Sequence, residues 1–243
     1  MMTAILVSAL FAAGTREAMF AAGVDAYYER DYAAAIEAFE RVAAEGAASP
    51  ALFHNLGNAY FRVGLPGPAI ANYHRALQLD PSMENAQENL ARAVQATRRG
   101  LAPPPPPVWE QALFFWHNNL GFATVFWLGA ASWIVGWLLL AFRLMRPWPY
   151  LRMAASVCLA VSVACLASAW IKAHPRPLAV TVADVAKVHY GTNEAEPVRF
   201  ELYAGDRVIA DARRPGWLRV VTAEGERGWT QADNLTLVGP PYE

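Results

Sequence analysis

Asparagine, arginine and aromatic side chains recur at a fixed offset in the first hundred residues, and their types suit holding another chain rather than transforming one. Phe20, Val24 and Tyr27, then Asn55, Asn58 and Arg62, then Asn89 and Arg92 fall on one helical face. Amides both donate and accept to a backbone, a guanidinium holds a carboxylate, and rings supply contact area. Asn58, Asn89 and Arg92 are expected to point away from helix–helix contacts, and for the polar residues a plainly solvated face is the competing reading. A second group, Tyr190, Tyr203, Trp217 and Trp229, could frame an aromatic groove for an extended peptide. The competing reading of the two tryptophans is cover for a core. Catalytic chemistry has no such grouping. His54, His74, His117, His174 and His189 are scattered without metal-ligand spacing, as expected of solvated histidines. No G-x-S-x-G, phosphate-binding glycine loop or carboxylate pair occurs. No catalytic residue, metal or cofactor is expected, and the chain reads as non-enzymatic.

The N-terminal residues are positioned by a repeat. Residues 16–49 and 50–83 align at a period of 34, with Gly23 on Gly57, Ala35 on Ala69, Ile36 on Ile70, Tyr27 on Phe61 and Phe39 on Tyr73. That is the period of a two-helix unit. Small residues let helices approach, and Phe53, Leu56, Tyr60, Tyr73 and Leu77 fill the space between them. Pro66, Gly67 and Pro68 are expected to separate the two helices of the second unit, and Asp80–Pro81 to end it. Residues 84–98 read as a capping helix. The second unit, Ala51 to Pro81, closely resembles the tetratricopeptide repeat. The resemblance implies an all-α solenoid over 15–100, two repeats plus a cap, with a concave partner-binding face. The lysines of that family's carboxylate-clamp members are missing, so capture of a C-terminal carboxylate is not expected there.

Two apolar runs fill the middle of the chain. Leu120–Phe142 has 23 residues and no charge, and Leu151–Ile171 has 21 with Arg152 near its start. Either spans roughly 30 Å as a helix, the thickness of a hydrocarbon core. A transmembrane hairpin is the reading, over a buried soluble hairpin. Trp109, Phe114, Phe115, Trp116, Trp148, Tyr150 and Trp170 flank the runs as interfacial aromatics do. Arg143 and Arg146 in the connecting loop 143–150, with Arg152, place that loop in the cytoplasm by the positive-inside rule. Both flanking parts would then lie outside it. Residues 1–14 read either as a secretory signal or as the start of the first helix. Segment 101–119, with five prolines at 103–107, reads as a stiff spacer and interfacial stretch. The net charge of −1 divides into −2 for residues 1–100, +4 for 101–177 and −3 for 178–243. Neither soluble part has the positive footprint of a nucleic-acid binder. Cys158 and Cys165, seven residues apart in the second span, lie about 10 Å apart along a helix, too far for a disulfide.

Residues 178–239 change to short β-branched runs: Leu178–Val182, Val198–Leu202, Arg207–Ala212, Leu218–Thr222, Gly228–Thr230 and Leu235–Val238. Six short strands between Gly, Pro, Asp and Asn argue an all-β barrel. Tyr203-Ala-Gly-Asp-Arg-Val-Ile, Gly216-Trp-Leu-Arg-Val and Gly225-Glu-Arg-Gly-Trp resemble the bacterial SH3-like domain.

The order of solenoid, hairpin and barrel makes a multidomain membrane protein. It resembles the BatE-type proteins of bacterial aerotolerance (Bat) operons, in architecture and in both domain signatures. The resemblance implies a scaffold of the bacterial inner membrane with both soluble domains periplasmic. Its implied partners are membrane-anchored von Willebrand A-domain proteins and, indirectly, a cytoplasmic MoxR-type ATPase. The alternative is a cell-wall protein whose SH3-like domain binds peptidoglycan peptides.

Overall fold

The computed structural model describes residues 2–105, 120–173 and 177–239. Its helices are α1 (Met2–Tyr28), α2 (Tyr32–Ala44), α3 (Pro50–Arg62), α4 (Pro66–Leu79), α5 (Glu84–Gln95), α6 (Phe122–Met145) and α7 (Pro149–Ala173). Its strands are β1 (Leu178–Thr181), β2 (Val185–His189), β3 (Val198–Tyr203), β4 (Arg207–Arg214), β5 (Trp217–Val221), β6 (Arg227–Gln231) and β7 (Leu235–Val238). The chain forms two compact units, one of residues 1–105 with 176–243, the other of residues 106–175.

In the first unit the helices stack in sequence order. The 34-residue repeat appears as a repeated contact. A Cβ at Gly23 would stand 2.7 Å from the Phe39 ring, and one at Gly57 would stand 2.7 Å from the Tyr73 ring. Each large ring therefore seats on the glycine of the preceding helix. Asp31 and Ser49 cap α2 and α3 through their side-chain oxygens, bonded by Ala34 N at 3.0 Å and Leu52 N at 3.1 Å. The Pro66-Gly67-Pro68 triplet does not separate the helices as expected. It forms the first turn of α4, where a proline loses no intrahelical hydrogen bond. Of the 1–14 segment, residues 2–14 lie on α1, continuous with the rest of that helix.

The strands form one antiparallel seven-stranded sheet in the order β3-β2-β6-β5-β4-β1-β7. Six were expected, and β2 is the addition. Val185-Ala-Lys-Val-His buries Ala186 and Val188 and exposes Val185 and Lys187, a short alternation hidden between two loops. The sheet buries Ala179, Ala186, Val188, Leu202, Val208, Leu218 and Val220 together.

The helices and the sheet share one interface. Val180 and Val238 pack with Ala69, Ile70, Tyr73 and Ala93 in a single buried cluster, so α4 lies against β1 and the edge strand β7. An uncovered edge would leave ladder groups unpaired. The Arg75 guanidinium donates to the Leu237 carbonyl at 3.0 Å. Gly67 permits the close approach: a Cβ there would run into the Thr181 carbonyl oxygen and stand 3.0 Å from Val182 Cα. The Asp206 carboxylate, fully buried, ties the far side. It accepts from the Arg99 guanidinium at 2.7 Å, Leu101 N at 3.1 Å and Tyr203 N at 2.9 Å. Leu101 also accepts from Arg207 N at 3.0 Å.

The second unit is the pair α6 and α7. Both are long and apolar enough to cross a membrane, with mean hydropathy 1.9 and 2.1. They meet along small residues, Gly129 against Cys165 and Leu166, and Gly136 against Leu159. Ser132 Oγ donates to the Cys158 carbonyl and Ser162 Oγ to the Gly129 carbonyl, both at 2.8 Å. The outer surface carries Trp127, Trp137, Leu138 and Val163, all more than half exposed. An apolar exterior over small, hydrogen-bonded contacts fits a transmembrane hairpin, not a water-facing core pair. Pro106, Pro107, Trp109, Phe114, Phe115 and Trp116 lie outside the described residues.

Two consequences are measurable. Gly67→Ala should lower the unfolding free energy by about 1–3 kcal/mol, because its obstacle is backbone rather than a yielding side chain. Thermal unfolding of the detergent-purified protein tests this, and an unchanged midpoint would refute the close approach. The second concerns His74 on α4. Its Nε2 is buried without a hydrogen-bond partner. Burial, with the Arg207 charge adding to it, lowers its pKa from 6.5 to about 4. The unfolded chain binds the proton more tightly, so His74's contribution is complete above pH 6.5 and declines as pH falls to about 4. His74→Gln should flatten the pH dependence of stability in that window by about 3 kcal/mol.

Candidate functional site

The expected recognition residues sit on α1, α3 and α5, the first helix of each pair and the cap. Four polar groups join them into a network. Tyr73 Oη donates to Asn58 Oδ1 at 2.8 Å, and Asn89 Nδ2 donates to the same oxygen at 2.9 Å. The Asn89 amide lies 3.1 Å and the Asn58 amide 3.5 Å from His54 Nε2. Both amides have hydrogens to give, so the imidazole nitrogen accepts. Burial lowers the His54 pKa, which favours that neutral, accepting form. The network bridges α3, α4 and α5.

A second polar contact lies toward the N-terminus, where Arg62 Nε donates to Tyr27 Oη at 3.3 Å. Tyr27 also packs edge-on against Tyr32 at 5.3 Å. Arg62 and Arg92 are exposed, and Arg92 lies 3.5 Å from Glu88 one turn back. Asn55 is half-buried. Phe20 faces the other way, with its ring 5.5 Å from Phe39 inside the α1–α3 cluster. The expectation that Asn58 and Asn89 point clear of helix contacts is therefore corrected. Their amides are shared between helices, because a stack this tight leaves few backbone groups to pair them.

The four aromatics of the C-terminal segment separate into two places. Trp217 and Trp229 share the outer sheet face with Arg219, alternating with buried Leu218, Val220, Gly228 and Thr230. The Trp217 ring meets His189 edge-on at 6.0 Å, and His189 pairs with Trp229 across the ladder. Arg214 and Arg219 lie 4.9 Å and 5.7 Å from the Trp229 ring centre. Arg219 in turn holds Asp211 at 2.7 Å. Tyr190 is exposed, with Arg199 5.3 Å from its ring. Tyr203 is elsewhere. It pairs with Val185 at the opposite end of β2, and Arg98 lies over its ring at 4.2 Å. The helical part of the chain covers it, so it does not complete a groove with the others.

Sequence reasoning missed His54, Tyr73 and His74. The described histidines are not solvated as expected: His54 is half-buried, the His74 ring nitrogen is enclosed, and His189 is buried with Nδ1 2.8 Å from the Glu196 carbonyl. The repeat held a signal for the first two. Asn89 falls 34 residues after Asn55, and Tyr73 seats on Gly57, which brings its hydroxyl to α3. Among the described residues no three His, Cys, Asp or Glu side chains come together as a metal site.

A scan against protein-family models and a search of curated proteins both give no match to this chain.

Asn58→Ala should cost about 1–3 kcal/mol, because it strands the Tyr73 hydroxyl and an Asn89 donor. Arg92→Ala should stay within about 0.5 kcal/mol. Chemical unfolding of both variants checks the pair, and equal effects would contradict the network.

Proposed function

We propose that this chain is a non-enzymatic membrane-anchored adaptor that holds an envelope protein on its helical face. The observation carrying the reading is that the exposed guanidiniums of Arg62 on α3, beside Tyr27, and Arg92 on α5 belong to a unit built from both sides of the apolar hairpin. A unit made from both flanks requires them on one side of the membrane, and an even number of spans satisfies this. The arginines Arg143, Arg146 and Arg152 support a cytoplasmic loop, and with it a periplasmic unit at a bacterial inner membrane. The tetratricopeptide-like repeat, the SH3-like motifs and the likeness to BatE-type proteins support the same role. Partners of the von Willebrand A-domain kind, with a MoxR-type ATPase beyond them, follow from that likeness.

The exposed face bearing Tyr190, Trp217 and Trp229 favours a second reading, recognition of cell-wall peptides. Rings flanked by guanidiniums offer both stacking and carboxylate contacts.

Alkaline-phosphatase fusions after Glu243 should be active and fusions at Pro147 inactive; the reverse would overturn the topology. Crosslinking in native membranes, followed by mass spectrometry, reads partner capture. Arg62→Ala with Arg92→Ala should reduce capture at least several-fold without loss of folding, since about 1.4 kcal/mol is tenfold in affinity. Normal capture in that variant, with capture and sacculus binding lost in a folded Trp217→Ala protein, would favour the cell-wall reading.

A further inference from the structure

The helical stack ends on an unpaired helix. α1 pairs with α2 and α3 with α4, but α5 is followed by Gly100 and Leu101, which run to the sheet instead of forming a return helix. The sheet covers part of the surface so exposed, through Val180 and Val238. Beside that contact a groove of about 400 Å3 remains between α4, α5 and β4. It falls within the range of about 300–1,000 Å3 usual for small-molecule sites.

The walls are aliphatic: Leu77 from α4, and Leu90, Ala91 and Val94 from α5. Arg207 is the one charged residue in the lining. Among the described residues Arg207 forms no ion pair. Its side-chain hydrogen bonds are long, 3.3 Å to the Leu101 carbonyl and 3.5 Å to that of Gly100. The neighbouring Asp206 carboxylate is committed to Arg99, Leu101 and Tyr203. The enclosed His74 Nε2 has no hydrogen-bond partner, and the Arg207 charge bears on it. A half-buried cation with weak carbonyl contacts, at an aliphatic groove, is complementary to an anion with an aliphatic body.

We infer that this groove binds an aliphatic monocarboxylate of medium chain length, with the carboxylate on Arg207 and the alkyl chain along Leu77, Leu90 and Val94. A guanidinium fork matches a carboxylate in two parallel hydrogen bonds. A peptide fits less well. Its backbone needs a partner for every N–H and C=O, whereas two helices form most of this wall and their own backbone groups are paired internally. The glutamines Gln87 and Gln95 are the remaining polar lining, and Gln87 already donates to the Pro81 carbonyl at 2.8 Å. The inference is independent of the adaptor reading, whose residues lie on α1, α3 and α5 and do not line this groove.

Titration calorimetry of the full chain in lipid nanodiscs with sodium octanoate tests it. Octanol serves as the uncharged probe and acetyl-trileucine with a free carboxyl end as the peptide probe. Octanoate should bind at one site per chain, at least tenfold more tightly than either comparison. Ala91→Trp adds a large side chain at an exposed groove position and should abolish the binding while circular dichroism stays unchanged. Arg207→Gln should weaken octanoate at least tenfold and leave octanol unaffected. If Arg207→Gln fails to fold, Ala91→Trp alone decides. Octanoate binding that survives Ala91→Trp would be partition into lipid and would overturn the site. Octanol binding as tightly as octanoate would overturn the role of Arg207. Tighter binding of the peptide would overturn the ligand class.

Discussion

The buried carboxylate of Asp206 is the constraint on which the first unit depends. It has no exposed surface, and it gathers a guanidinium from one end of the helical stack, the backbone N–H of Leu101 and the N–H of Tyr203 within its own turn. An unpaired buried charge costs several kcal/mol, so these donors cannot be withdrawn singly. The same turn supplies the Asp206 carbonyl to Thr181 N at 2.9 Å and places Arg207 beside the Leu101 carbonyl. One residue thus fixes the exit of the helical segment, the β3–β4 turn and the end of β1. The sheet and the stack are one unit because this site needs donors from both.

Apolar packing completes what the carboxylate orients. Val180 and Val238 present the sheet to Ile70 and Ala93, and Gly67 lets the backbones approach. The stack is built from one contact used twice, ring on glycine, at Phe39–Gly23 and Tyr73–Gly57. The last ring differs from the first by a hydroxyl. That oxygen brings in Asn58, and through it Asn89 and His54. A polar network at the end of the stack follows from a phenylalanine-to-tyrosine difference between equivalent repeat positions.

Periodicity made the elements legible in the sequence. The 34-residue offset marked the helix pairs, the two apolar runs marked α6 and α7, and five of the six expected strands overlap observed ones over most of their length, with Gly228–Thr230 as the core of the sixth. β2 escaped because only two of its five residues are large and apolar, and Lys187 interrupts them. The shared interface was not legible. Arg99, Leu101, Asp206 and Gly67 are ordinary residues in local context, and their partners lie more than a hundred positions away. For the same reason Tyr203 read as a free groove aromatic, although Arg98 covers it. The residues of α3 and α5 were found as a face, but their mutual hydrogen bonds depend on Tyr73 from a helix in between.

The split of the first unit around the hairpin has a consequence for how the molecule is made. About seventy residues separate the two halves, and closing so long a loop has an entropic cost that grows only slowly with its length. Pairing α6 with α7 folds most of that length into a hairpin, so the halves are joined by much less free chain. The pairing of α6 with α7 then becomes the step that brings the late-made sheet to the early-made helices. Until it happens, the cluster around Ile70 and Ala93 lacks Val180 and Val238, and the stack has an open apolar flank. Pairing of the hairpin and closure of the first unit are thereby coupled, and the hairpin serves as an assembly jig.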